Sequence, residues 1–573
     1  NFEQVVEGSP VLAEILGSAT SAKMLVTSRV ILRLQNEREY IVPPLVPPGS
    51  SKVPFAEIEA NSAVRLFVDR AYSANKTFAL SRENAQDIVA ICKKLEGLPL
   101  AIELAAARAK ILSPAEILEK LDNRLQLLTG GARDLPERQR TMHGAIAWSY
   151  DLLTDEEKRL FRQLSVFNGG FRLDAAEALF ESGPQTSSHT HFVLDLVSSL
   201  VDQSLLLQRE QRSGGQRFRM LEVVREFAAE ALANAGESEK AKARHAEYFV
   251  NLGERAEPFL QAAQSSEWLD KLEEDHNNLR TAMKWSLAND AEKAVRLAVA
   301  LRNFWLLHSH LSEGYRWMKA AKAAGVDAQP ELRFKLMNGL GLAARFRGDL
   351  RTAREAYEQG LSAGHEVGDK QGVAVSSRGL GLVAMQQGDA EAARGYFESG
   401  LAISRELEDK FGTALSLSFL GDLARTVRDH ERAKPLFEEA LSFFRELDNK
   451  SAMSDALNNL GAAAFSSGDL EAARVSFAEA MKVASDLGNK ITISNSLDGF
   501  AALALEQNDL EKAAKLAGAA DALRESIGYK IEPAEAAFRN EYMEKLWDRI
   551  GAEDFQRLYD QGKTNDHRLI LDL

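Results

Sequence analysis

Cysteine is nearly absent from this 573-residue chain, which carries only Cys92. A single thiol rules out an internal disulfide framework and any Cys-rich zinc module, and it fits a reducing, cytoplasmic compartment. No apolar run reaches the roughly 18–20 residues that span a bilayer, so no membrane partner is expected. Positive charge is in deficit, with 70 Lys plus Arg against 84 Asp plus Glu, a net charge of −14. That balance argues against a whole-surface polyanion binder and leaves only a local basic patch open. The opening residues Asn1-Phe2-Glu3-Gln4 include no Met and resemble no signal peptide, so a piece of a longer chain is expected. What is present is ordinary: 45% apolar and 27% charged residues exclude wholesale disorder. The length predicts three to four domains at roughly 150 residues each.

The second half repeats itself. Asp349, Asp389, Asp429, Asp469 and Asp509 are spaced by 40, as are Lys370, Lys410, Lys450, Lys490 and Lys530. Leu340-Gly341, Leu380-Gly381, Leu420-Gly421 and Leu460-Gly461 keep that period, with Phe500-Ala501 a degenerate fifth copy. Ala353, Ala393, Ala433, Ala473 and Ala513 follow it, and so do Tyr357, Phe397, Phe437 and Phe477. Each copy reads as two helices joined at Gly348-Asp349 and its equivalents. Glycine permits the left-handed residue that ends the first helix, and Asp accepts from free N–H groups that start the second. Small residues in the Gly341 and Ala353 columns allow close approach, and the Tyr357 column supplies a knob between neighbouring repeats.

Leu380-Gly381, Ala393, Phe397 and Gly400 have the spacing of tetratricopeptide repeats, which this array resembles. Such arrays stack into a superhelix whose first helices line a concave groove. Mapped onto that pattern, Asn338, Arg345, Arg378, Asp422, Arg425, Asp455, Asn458, Asn495 and Asp498 face the groove. A protein or small-molecule ligand carrying charge is the expected partner there. Ala291–Ala324 carries a weaker helical pair, and Ile531–Leu573 shows helical periodicity without the repeat signature, as a terminal cap would.

The first half shows a different set of motifs. Met24-Leu25-Val26-Thr27-Ser28-Arg29 reads as a short buried strand with polar residues at its tip, where an open α/β sheet binds ligands and an Arg fork suits phosphate. Ala85–Lys94 reads as a helix, closed by Gly97, and Pro99 sits in the first turn of the next helix. A fixed proline there can stack on a flat ligand. Ser149-Tyr150-Asp151-Leu152-Leu153 opens a helical segment, and two apolar-alternating stretches, Ser204–Gln208 and Gln216–Leu221, flank Gly214-Gly215. Helices plus such a hairpin make a winged helix.

In this order and spacing, the segments resemble the NB-ARC branch of the STAND nucleotide switches, which includes plant disease-resistance proteins, apoptosis activators and bacterial SARP and LuxR-like regulators. The resemblance implies that Thr27-Ser28-Arg29 carries the sensor arginine for a terminal phosphate. It implies that Gly97-Leu98-Pro99-Leu100 places a proline against adenine. Met220-Leu221-Glu222 falls at the family's MHD motif, but Leu221 replaces the histidine that meets the β-phosphate. Gly-x-x-x-x-Gly-Lys-Ser/Thr occurs nowhere in the chain, so the phosphate cradle and the Mg²⁺ hydroxyl are lacking. ATP or ADP with Mg²⁺ is therefore expected in the full-length parent and not tightly on this chain alone. Any hydrolysis would be slow and regulatory, and no catalytic constellation can be argued from spacing.

The expected fold class is mainly α. Residues 1–48 are the remnant of an α/β P-loop domain, 49–130 a helical domain and 131–237 a winged helix. Residues 238–330 are a helical connector with one degenerate repeat, 331–530 are five repeats forming an α-solenoid, and 531–573 are the cap. Between Gly131 and Leu232 there are 12 Lys/Arg and 15 Asp/Glu, and an acidic module is a poor DNA reader. DNA contact is expected only through a domain upstream of Asn1, and self-assembly remains open. His189-x-His191 and His308-x-His310 lack a Cys or clustered carboxylate to complete a metal site, and Glu273-Glu274-Asp275 reads as a solvated face. The expected function is a signal-responsive regulator, chiefly of transcription. The alternatives are a passive repeat scaffold, or the regulatory arm of a cyclase or kinase.

Overall fold

The computed structural model describes residues 2, 8–19, 21–28, 32, 34, 35, 37, 38, 40, 42–49, 53–121, 124–129, 140–180, 189–210, 215–260, 265–308, 310–324 and 329–564. These form two compact units, 1–248 and 249–573. Helix dominates both, as the expected fold class requires, and among the described residues only two strands occur.

In the first unit, α1 (Ala85–Lys94) and α2 (Pro99–Ala106) meet at the Gly97 turn. Cys92 is buried in α1, and burial pushes its thiol up to about 12, so it is inert as a nucleophile. The winged helix follows. Helices Met142–Asp151, Asp155–Leu164, Leu173–Leu179 and His189–Asp202 precede the hairpin of β1 (Leu207–Glu210) and β2 (Gln216–Arg219), and α3 (Glu222–Asn234) closes it. Leu207 pairs with Arg219 and Glu210 with Gln216 in antiparallel register. Phe171 and Phe218 exchange both backbone hydrogen bonds at 2.8 Å, an isolated bridge that ties Phe171 to β2. Thr154 caps the second of these helices reciprocally with Glu157.

One expectation fails here. Met24–Thr27 forms no strand, and Leu25 is 98% exposed. A buried strand needs sheet neighbours on both sides to pair its backbone and cover its side chains. Those neighbours are absent from the described residues, so an apolar run alone does not make a strand.

In the second unit, α4 (Ser265–Glu274), α5 (His276–Asn289), α6 (Ala291–Leu307) and α7 (Leu311–Ala324) precede the repeats. Five helical pairs follow: α8 (Pro330–Phe346) with α9 (Leu350–Val367), α10 (Lys370–Gln386) with α11 (Ala390–Glu406), α12 (Lys410–Thr426) with α13 (His430–Glu446), α14 (Lys450–Ser466) with α15 (Leu470–Leu487), and α16 (Lys490–Glu506) with α17 (Leu510–Ile527). Helices α18 (Pro533–Ile550) and α19 (Ala552–Thr564) come after the repeats.

The repeat columns explain the pairs. Asp349, Asp389, Asp429, Asp469 and Asp509 each accept from the third backbone N–H of the second helix, at 3.0–3.3 Å. A Cβ at Gly341, Gly381, Gly421 or Gly461 would lie 2.5–2.8 Å from the ring of Tyr357, Phe397, Phe437 or Phe477. Those rings are buried, so helix spacing within a repeat is set by a ring seated on a residue without a side chain. Gly379 and Gly499, on the next first helices, receive Tyr357 and Phe477 from the other side. The ring therefore also joins neighbours, as a knob does.

The turn residue is glycine in three repeats, with φ of 75° at Gly348, 82° at Gly388 and 85° at Gly468. Arg428 takes the same left-handed geometry at φ 62°, where a Cβ is disfavoured. R428G should stabilise the chain by up to about 1 kcal/mol, the left-handed cost less the extra freedom of glycine when unfolded. Urea midpoints of the two proteins measure this, and a lower midpoint for R428G would show that the arginine side chain contributes more than its backbone costs.

Candidate functional site

The Gly97-Leu98-Pro99-Leu100 turn is built by close approach. Gly97 has φ +70°, donates its N–H to the Cys92 carbonyl (3.0 Å) and accepts from the Leu45 N–H (3.0 Å). The Leu45 carbonyl occupies the space a Cβ at position 97 would need, so only glycine fits. Pro99 is the first residue of α2 and is exposed, whereas Leu98 and Leu100 are half-buried. The Thr27 carbonyl accepts from the Phe2 N–H at 2.8 Å, and Thr27 and Ser28 lie in irregular chain. Arg29 lies outside the described residues.

The structure joins the Gly97 turn to Leu221, which sequence spacing could not do. Glu96, beside Gly97, has φ 51°. Its Oε2 accepts from the Glu222 backbone N–H (2.5 Å), and its Oε1 pairs with Arg219 Nη1 (3.0 Å). Leu221 is the half-buried residue immediately before α3, so a carboxylate caps the helix that Leu221 introduces. Burial pushes the Glu222 carboxyl up, but the Arg225 and Arg124 guanidinium groups outweigh it and hold it below the usual range. E96A removes both the cap and the ion pair to β2. It should cost about 0.5–2 kcal/mol, read from denaturant unfolding, and an unchanged midpoint would mean that water replaces the cap without loss.

In the second unit, the first-helix face is occupied by the chain itself. Glu532, the residue before α18, pairs with Arg345 of α8 and accepts from Gln386 Nε2 of α10 (2.5 Å). Glu535 pairs with Arg425 Nη1 of α12 (3.3 Å). Asp498 of α16 is only 2% exposed and is bound by Arg524, Arg539 and the Tyr542 hydroxyl. Phe538 packs edge-on against Phe465 of α14, with ring centroids 5.5 Å apart. This helix and the Glu532 that precedes it thus contact polar or aromatic groups from every repeat.

The expected groove residues distribute unevenly. Arg345, Arg425 and Asp498 do meet this shared face. Asn458 and Asn495 line a cavity of about 10 Å³ with Glu535 and Phe538, room for roughly one water. Asn495 also accepts from Arg524 Nη2 (3.2 Å), and Asn458 accepts from the Ser496 hydroxyl (3.1 Å). Asp422 accepts from Asn459 Nδ2 (3.0 Å) and lies 3.5 Å from Arg425. Asp455 is exposed and accepts from the Thr492 hydroxyl. Asn338 accepts from Ser376 between first helices (2.9 Å).

Arg378 is a correction. It is buried and donates to Ser404 of α11 (3.0 Å), with its stem against Gly400. It packs inside its own repeat, and burial pushes its guanidinium down to about 10. Column position alone assigned it to the groove, but the glycine at position 400 leaves a space that draws it inward.

The shared face carries an acidic strain. Burial, then the neighbouring Glu535 carboxylate, push the Asp422 carboxyl well above its usual value, while Arg425 opposes them. A carboxyl whose folded value is raised favours the folded state most when protonated. Its contribution is greatest below the usual aspartate range and is lost as pH rises through that range toward the raised folded value. D422N keeps the acceptor for Asn459 and removes the charge. It should raise the unfolding midpoint at pH 7.5 and leave it nearly unchanged at pH 4, and a lower midpoint for D422N at pH 7.5 would contradict this account.

Sequence comparison adds family matches. Residues 372–446 and 454–485 match tetratricopeptide-repeat models, and residues 153–233 match a winged helix-turn-helix domain. A Mycobacterium tuberculosis protein named "Putative HTH-type transcriptional regulator Rv0890c" is 36% identical over 323 residues, covering 56% of this chain and 34% of that protein. "Uncharacterized protein Rv0894" of the same organism is 34% identical over 235 residues, covering 41% of this chain and 56% of that protein. The chain spans about a third and about half of their respective lengths. Among solved structures, a STAND protein with a tetratricopeptide repeat sensor, PH0952 from Pyrococcus horikoshii, aligns at 14% identity and TM-score 0.40, over 89% of this chain and 74% of that one. A Rap protein complexed with competence and sporulation factor aligns at 12% identity and TM-score 0.37, over 58% and 96%.

Proposed function

We propose that this chain is the sensing and switching part of a transcriptional regulator. Its repeats recognise a protein, peptide or small charged ligand, and its first unit responds to ATP or ADP in the longer protein. The observation that carries the reading is the occupation of the first-helix face by α18. A face that presents Arg345, Arg425 and Asp498 and already holds a helix through Glu532, Glu535 and Arg539 is suited to exchange that helix for an incoming acidic or mixed-charge segment. The relative named as an HTH-type transcriptional regulator supports the assignment of the output.

Two coupled binding sites biasing one bistable element constitute such a switch. The element is α18, whose polar anchors are buried pairs that hold when complete and cost several kcal/mol when broken on one side. E532Q removes the partner of Arg345. Amide exchange in α18 should then accelerate by at least about tenfold, roughly 1.4 kcal/mol of opening, while exchange in α8–α17 stays unchanged. Equal protection of α18 in both proteins would remove it as the mobile element.

The nucleotide part of the proposal rests on the resemblance at Thr27-Ser28-Arg29 and Gly97-Leu98-Pro99-Leu100, and on the exposure of Pro99. In the longer protein, R29A should weaken discrimination of ATP over ADP and leave the repeats folded by circular dichroism. Equal ATP-to-ADP affinity ratios in the mutant and the wild type would count against the sensor assignment. So would purified longer protein that releases no adenine nucleotide on denaturation.

A further inference from the structure

Four helix ends converge in the second unit. Glu273 lies in the last turn of α4, His276 begins α5, His308 follows α6 and His310 precedes α7. One carboxylate oxygen, Glu273 Oε2, faces three imidazoles: His310 Nε2 at 2.8 Å, His308 Nδ1 at 3.2 Å and His276 Nδ1 at 3.7 Å. The His276 and His310 rings lie 4.3 Å apart, over the buried Phe304 ring. His276 is 6% exposed, and its Nε2 has no hydrogen-bond partner. A single carboxylate oxygen has too few lone pairs for three rings, so the hydrogen bonding within the cluster is incomplete while its donor atoms are crowded together.

We propose that Glu273, His308 and His310, whose donor atoms all lie within 4.8 Å of one another, bind a divalent transition-metal ion of the zinc class. Two imidazoles and a carboxylate form a borderline-soft donor set that favours zinc over Ca²⁺ or Mg²⁺. Three protein ligands leave a fourth position open, and helix termini hold them in place. Glu313 lies 3.5 Å from His276 Nε2, but Arg280 Nε (2.6 Å) and Trp317 Nε1 (2.9 Å) already engage it. It is therefore an outer partner that neutralises the nearby Arg280 charge. An ion bound here would tie the end of α4 to the segment between α6 and α7, ahead of the repeat array.

The test uses the whole chain, stripped with a chelator and titrated with Zn²⁺ by calorimetry, with Co²⁺ as a spectroscopic probe. The expected result is saturable binding of about one equivalent, visible Co²⁺ absorption, no competition by excess Mg²⁺ and a raised melting temperature. H310Q and H308Q should each weaken Zn²⁺ at least about tenfold, the size already produced by losing an outer-shell partner. Circular dichroism checks folding, and if H310Q does not fold, the more exposed His308 ring decides through H308Q. Absence of saturable binding overturns the proposal. So does binding of equal affinity in the wild type and in every folded variant, since that would place the ion on other histidines.

Discussion

A ring resting on a glycine sets the geometry of the second unit. Phe397 lies where a Cβ of Gly381 would intrude at 2.5 Å, and the contact recurs at 40-residue intervals. Close-packed interiors transmit such constraints because they cannot deform gradually. The ring fixes the distance between the two helices of a repeat and, through Gly379 and Gly499, the distance to the next. The first helices therefore form a platform of regular spacing. Polar side chains projecting from it reach α18 at successive points because the platform is regular.

That regularity makes the ion pairs along α18 more than ornaments. Exposed pairs such as Lys370 with Glu406 contribute little. Arg345, Arg425 and Asp498 are buried, and buried charges must find partners or cost several kcal/mol. Asp498 takes Arg524 from its own repeat and Arg539 with Tyr542 from α18. The partition is telling: with α18 removed, Asp498 keeps one cation, whereas Arg345 loses its carboxylate.

The sequence displays the repeats because each determinant is local. A glycine, an alanine and an aromatic at fixed spacing, with Asp at the helix start, are visible within 40 residues. The winged helix is legible for the same reason, from helices followed by a hairpin. What escapes is long-range. Arg345 and Glu532 are 187 positions apart and Arg425 and Glu535 are 110 apart, so no window contains both. His308 and His310 look isolated because Glu273 and His276 come from preceding helices. Met24–Thr27 misleads in the opposite direction, since apolar composition does not reveal whether sheet neighbours exist to cover it.

In the first unit, the start of α3 illustrates how a motif position can be filled from elsewhere. A helix N-terminus attracts an anion through its free N–H groups and dipole. Here the anion is the Glu96 carboxylate, held in register by Arg219 and by the left-handed turn that Gly97 completes. Leu221 offers no polar group of its own at this helix start. A phosphate approaching α3 would have to displace Glu96, and that displacement would also release β2 through Arg219. Any anion approaching this helix start would compete with the Glu96 carboxylate for the same donors. The carboxylate that holds these donors is itself part of the Gly97 turn, two residues after which the exposed Pro99 has its own helix start.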